Sequence, residues 1–293
     1  SWYKKFSSQP HQPFFTSGIL FLILFMSLFV SVYSNFLVLD NSVLTYHAYT
    51  MVFVIFIQFF LGFLFVVFPR FLIQAEIQIQ EYMKQFLLYF FASLGIFLTL
   101  IFYSKVTFIF QILMLIAQIM SFKLLYSIHK KSIVKVKEDT KWVLISLFSG
   151  LVFHSLFIIS SLNFPYSYEL SRFAIDGGFY LFLFMVIFVI SQRMIPFFTT
   201  AKAPNYVANK SVNLLTIIFS LLAFKVILLA FDNAKLNLLA DIPLFIMITR
   251  ELIKWKLPFF KSPAIMWVLF LGLYWIPVAF FMSIIEGLMA FYN

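Results

Sequence analysis

Long apolar runs separated by short polar segments set the pattern of this chain. The runs fall at about 17–39, 47–69, 86–103, 106–126, 142–162, 173–195, 211–231, 236–249 and 264–286. About 20 apolar residues rising 1.5 Å each cross a hydrocarbon core of roughly 30 Å. Only helices or closed barrels satisfy their backbone there, and runs of this length predict helices. The expectation is an all-α polytopic bundle of about nine transmembrane helices in a single domain over 1–293. Residues 1–16 form an interfacial lead-in, and 129–141 form a basic loop. The run 236–249 is short and contains Asp241 and Pro243, so a broken or tilted helix is expected there. Two spans share a layout. His47 to Arg70 opens on a histidine and closes on Pro69-Arg70, and 176–198 opens on Asp176 and closes on Arg193 beside Pro196. This reads as a repeated unit with a polar entry and a basic exit.

Composition agrees. The chain of 293 residues is 63% hydrophobic and 11% charged, whereas soluble domains are about half apolar and a quarter charged. The net charge of +10 would ordinarily point to a polyanion, but its placement does not. With the N-terminus cytoplasmic, 17 of the 21 lysines and arginines fall on the inner side, Lys105, Arg172 and Lys235 on the outer, and Lys225 within a span. That asymmetry is the positive-inside bias, so the lipid bilayer is the partner and no nucleic acid is needed. The absence of cysteine removes disulfides, thiolate metal sites and iron–sulfur clusters. The sequence has no Gly-rich phosphate loop, no His-Glu-x-x-His and no nucleophile elbow.

Ionisable groups in hydrocarbon are costly and are usually paired, inward-facing or functional. His154 lies mid-span, one turn after Gly150, and a glycine there leaves room for a flat macrocycle or a close helix. A neutral imidazole ligates haem iron or copper; the alternative is a hydrogen bond across helices. His47 is a second ligand candidate or an interfacial cap, and His11 a third. His129 sits among lysines and reads as a solvated loop residue. Arg70 and Arg193 grip anionic groups such as haem propionates or lipid phosphates, or simply anchor the inner face. Asp176 reads as an anion at a helix N-terminus or as a proton relay. Lys225 and Glu286 call for ion-pair partners, and Gln111 and Gln118, seven apart, for interhelical hydrogen bonds.

Three stretches carry a resemblance: QPFFTSG at 12–18, His47-Ala-Tyr-Thr-Met with the run from Gly62 to Arg70, and the exit from Gln192 to Thr199. In these the chain resembles the NnrS family of haem- and copper-containing membrane proteins. The resemblance implies a bacterial inner-membrane bundle of about twelve helices, bound haem and copper, and a role in nitric oxide tolerance or denitrification. Placement in or beside the spans, not the resemblance, makes His47 and His154 the candidate haem-iron and metal ligands, with His11 third and Arg70 and Arg193 as further cofactor-binding candidates. Family members often carry a second histidine soon after the first in the second span. Tyr49 stands there, which weakens the case for copper relative to haem. Two further readings stay open: a small-solute or ion transporter, drawing on Asp176, Lys225 and Asp241, and a non-catalytic membrane subunit with protein partners or further copies of itself. No turnover reaction is identified.

Overall fold

A computed structural model describes residues 2–39, 42–162, 164–202, 206–258, 260 and 262–292; Asp40, Lys261 and Asn293, which delimit spans or enter the charge count, lie outside the described residues. Every regular element among the described residues is helical. In chain order they are α1 (Trp2–Phe6), α2 (His11–Tyr33), α3 (Val43–Phe71), α4 (Ile79–Phe102), α5 (Thr107–Lys131), α6 (Glu138–Ser160), α7 (Ser167–Gly177), α8 (Met185–Lys202), α9 (Leu214–Leu229), α10 (Ala234–Trp255) and α11 (Ala264–Met289).

Seven helical stretches are long and apolar enough to cross a bilayer. The count of nine rests on α9 and α10, each of which falls short of one criterion. Helix α9 has 16 residues, about 24 Å at 1.5 Å each. Helix α10 has 22 residues but carries Lys235, Asp241, Arg250, Glu251 and Lys254. It is also unbroken: Pro243 lies inside it without ending it. A proline deletes one ladder bond, and neighbouring helices compensate for that in membrane bundles. Several expected linkers are largely helical extensions. Helix α5 runs on to Lys131 and α6 starts at Glu138, so the basic loop shrinks to six residues.

Two compact units divide the chain, Ser1–Leu183 and Phe184–Asn293. In the first, α2 packs on α3 and α4, α4 on α5, α5 on α6, and α6 on α7. Glycines set the close approaches. A Cβ at Gly62 would meet the Phe15 ring at 2.9 Å, and one at Gly95 the Phe110 ring at 2.0 Å. Small residues at crossings let membrane helices approach, because lipid supplies no hydrophobic drive between them. In the second unit α10 packs on α9 and α11, and α11 also meets α8.

Besides the 3-10 turn Ser104–Val106, two stretches widen beyond the α ladder. Met51–Ile55 within α3 and Gly178–Phe184 after α7 are π-helical. Such turns offset the i→i+4 ladder by one residue and are frequent at functional sites. Helix α3 then ends in a left-handed residue, Ile73 at φ 52°, with Gln74 N donating to Pro69 O at 2.9 Å. This is a Schellman stop, a position usually given to glycine.

Candidate functional site

The π turn of α3 is the centre of the first unit's polar interior. Its Phe53 and Val54 carbonyls each accept a glutamine amide: Gln118 Nε2 donates to Phe53 O at 2.9 Å, and Gln58 Nε2 to Val54 O at 2.8 Å. Both glutamines are buried. Buried carbonyls and amides need such partners, because an unpaired polar group in apolar surroundings costs about 1–3 kcal/mol.

His154 is set by this arrangement. Since Gln118 Nε2 faces Phe53 O, its Oε1 faces His154 Nδ1, at 2.8 Å. Nδ1 therefore carries the proton and donates. The other ring nitrogen, Nε2, lies 3.0 Å from the Tyr49 hydroxyl, which donates to it. The network thus assigns a neutral Nδ1–H imidazole. The ring is fully buried, stacked on Phe53 with centroids 4.9 Å apart and planes 14° from parallel. The space opened by Gly150 is taken by the Phe182 ring, whose Cγ lies 2.7 Å from where a Cβ would stand. Of the two uses foreseen for that glycine, the close helix is the one seen. His154 has both nitrogens engaged, across helices, which was the alternative to ligation.

His47 differs. It is half-buried in α3, and its ring lies 4.3 Å from that of Phe29. Its Nδ1 is buried without a hydrogen-bond partner. It lines a cavity of about 20 Å³ with Phe25, Phe29, Tyr46 and Thr50 among others. One buried, unpartnered imidazole nitrogen is the donor an axial haem ligand requires. The space beside it admits a molecule the size of water, so a macrocycle reaches this nitrogen only if the lining side chains give way. No group of three or more His, Cys, Asp or Glu side chains suited to a metal ion occurs among the described residues, so the donor set here does not fit a copper centre built from several protein ligands.

The other candidates are dispersed. His11 is the first residue of α2, half-buried, with its ring 5.9 Å from Phe15. Arg70 is exposed at the end of α3 and pairs with Glu76 at 3.1 Å, beside a cavity of about 230 Å³. Arg193 lies half-buried on α8 of the second unit. His129 meets the Thr140 hydroxyl at 3.0 Å instead of standing free in solvent. Asp176 is not at a helix N-terminus, because the helix begins nine residues earlier at Ser167. Gln118 makes the interhelical bonds expected of it; Gln111 makes none. Tyr49, weighed in the sequence only as the place of a missing second histidine, is the partner of His154. Its spacing one turn before the Phe53 carbonyl was the available signal.

A second buried polar centre lies in the second unit. Lys225 Nζ meets Asp241 Oδ1 at 2.5 Å, and Ser283 donates to Asp241 Oδ2 at 2.6 Å. Lys225 and Asp241 are 2% and 0% exposed. This supplies the partner that Lys225 required. Glu286 lies exposed on α11.

No curated protein and no solved structure gave a match. The sequence model of the NnrS protein matches residues 5–292, which is nearly all of the chain. With its apolar helices and this match over nearly the whole chain, the protein is a multi-pass membrane protein that belongs to the NnrS family.

Proposed function

We propose that this protein binds haem in the bacterial inner membrane, where His47 would hold it, and serves nitric oxide tolerance or denitrification. Family membership gives the class, and the unpartnered, buried Nδ1 of His47 is the observation that supports the residue. The haem would supply an iron centre able to bind a diatomic gas. The chain's own part is to hold an imidazole in apolar surroundings that keep it neutral and ligating. His154 serves in this reading as a support: through Tyr49 and Gln118 it fixes α3, α5 and α6 around the π turn that begins four residues after His47. Arg70, at the far end of α3, is placed for an anionic group at the membrane surface but is held by Glu76. Copper is left out of the proposal, because the donor set does not favour it.

The test is haemin titration of the purified full chain in detergent, read in the visible spectrum. A saturating, red-shifted Soret band is expected. A spectrum equal to free haemin in the same micelles would remove the reading.

A transporter reading draws on a different observation, the Lys225–Asp241–Ser283 centre, since intramembrane ion pairs mark ion pathways as well as scaffolds. Uptake into proteoliposomes that is lost in Asp241→Asn, with no chromophore bound, would favour it.

A further inference from the structure

A cavity much larger than the one beside His47 also lies in the first unit. It is a cleft of about 680 Å³ where α4 turns into α5 and α6 ends, lined by Tyr46, Lys105, Phe108, Gln111, Ile159 and Ser161 among others. That volume is in the range of small-molecule sites. Its rim is lipid-like: Phe108, Ile112, Ile159 and Leu162 all expose large apolar surfaces. A ligand therefore enters from the apolar phase and not as a hydrated ion.

Its floor is polar. Gln111 is 1% exposed and lines the cleft, and neither its Nε2 nor its Oε1 has a partner. The Tyr46 hydroxyl lies near the amide but outside hydrogen-bond geometry with it. One turn earlier on α5, the buried Thr107 hydroxyl is unpartnered as well. Every comparable glutamine in this unit is satisfied: Gln58, Gln85 and Gln118 all have partners within 3.1 Å. The exception is the glutamine that faces a cavity.

An amide with both atoms open selects its ligand. A bare anion cannot donate to Oε1, and a cation cannot accept from Nε2. A hydroxyl does both. Lys105, in the 3-10 turn Ser104–Val106 just before α5, also lines the cleft and supplies a second donor. Tyr46 and Phe108 offer aromatic faces. We propose that this cleft binds the flat head group of a lipid-soluble hydroquinone. One ring hydroxyl pairs with Gln111, the opposite oxygen points to Lys105, and the chain lies along the apolar rim. Tyr46 also lines the His47 cavity, so the two sites share a wall. The proposal does not rest on haem binding and is tested without haem.

The experiment is equilibrium binding of decylubiquinol to the purified, haem-free full chain in nanodiscs of neutral lipid. Saturable binding is expected, weakened about tenfold by Gln111→Leu, which removes a donor and an acceptor together. Tyr46→Phe serves as the second variant and is expected to weaken binding two- to threefold. The ligand-free melting temperature of Gln111→Leu is expected to equal or exceed that of the parent, since no bond is lost. Non-saturable partitioning overturns the proposal, and so does unchanged affinity in both variants. Displacement of the quinol by phosphatidylglycerol, with Lys105→Gln the only variant that weakens binding, would mark a lipid-headgroup site and overturn it too.

Discussion

The two compact units bury polarity in opposite ways. The first uses neutral groups: an imidazole, a phenol, glutamine amides and serine hydroxyls, stitched to two carbonyls of a π turn. The second uses charge, a lysine and an aspartate with one serine hydroxyl. A neutral network can leave atoms open at about 1–3 kcal/mol each, as it does at His47 Nδ1 and at both amide atoms of Gln111. An ion pair in hydrocarbon cannot, because each uncompensated charge costs several kcal/mol. The second unit leaves neutral atoms open too, at Asn237 Oδ1 and Thr249 Oγ1, while its buried lysine and aspartate are paired.

Breaking the charged centre should have the largest effect. Asp241→Asn leaves Lys225 buried against a neutral amide and is expected to cost about 3–5 kcal/mol, seen as a lower melting temperature in detergent. Replacing both residues together, Lys225→Met with Asp241→Leu, should recover most of that loss. If the single variant melts like the parent, the pair is not buried as described. The neutral network should respond less. His154→Leu orphans the Tyr49 hydroxyl and Gln118 Oε1, for a loss of about 2–3 kcal/mol. A smaller effect of the opposite sign is expected outside both networks. Ile73 is 82% exposed and held at φ 52°, so Ile73→Gly should gain up to about 1 kcal/mol by relieving the left-handed strain. The smallest change belongs to His47→Leu. No hydrogen bond of Nδ1 is lost, so stability should move by no more than about 0.5 kcal/mol. A large drop at His47 paired with none at His154 would invert the comparison.

The membrane class was legible because hydropathy acts residue by residue. Twenty apolar positions read as a span whatever they pack against, and each of the nine expected runs has a helix over most of its length, although 34–39 of the first run lies beyond Tyr33, where its helix ends. Helix ends were less legible. Polar residues such as Glu138, Lys130 and Ser167 continue helices beyond the hydrocarbon, and apolar counting stops short of them. The π turns were invisible, since Met51–Ile55 is apolar on every side and its ladder shift depends on Gln118, 65 residues away from Phe53. The histidines were legible as candidates, but their partners were not. Sequence placed His154 deepest and therefore first, yet depth is also what forces a group to find partners. Tyr49 and Gln118 supply them, while His47, nearer a helix end, keeps a nitrogen open. The Lys225 partner was likewise out of reach, because 16 residues and a helical turnaround separate it from Asp241.

The difference between the two histidines is the claim on which the functional account turns, and parallel haemin titrations of the parent, His47→Ala and His154→Gln measure it directly. The account predicts a Soret band that disappears in His47→Ala and persists in His154→Gln. A band that survives in the first variant and vanishes in the second would show that the deeper imidazole gives up Tyr49 or Gln118 to bind iron, and would contradict the assignment.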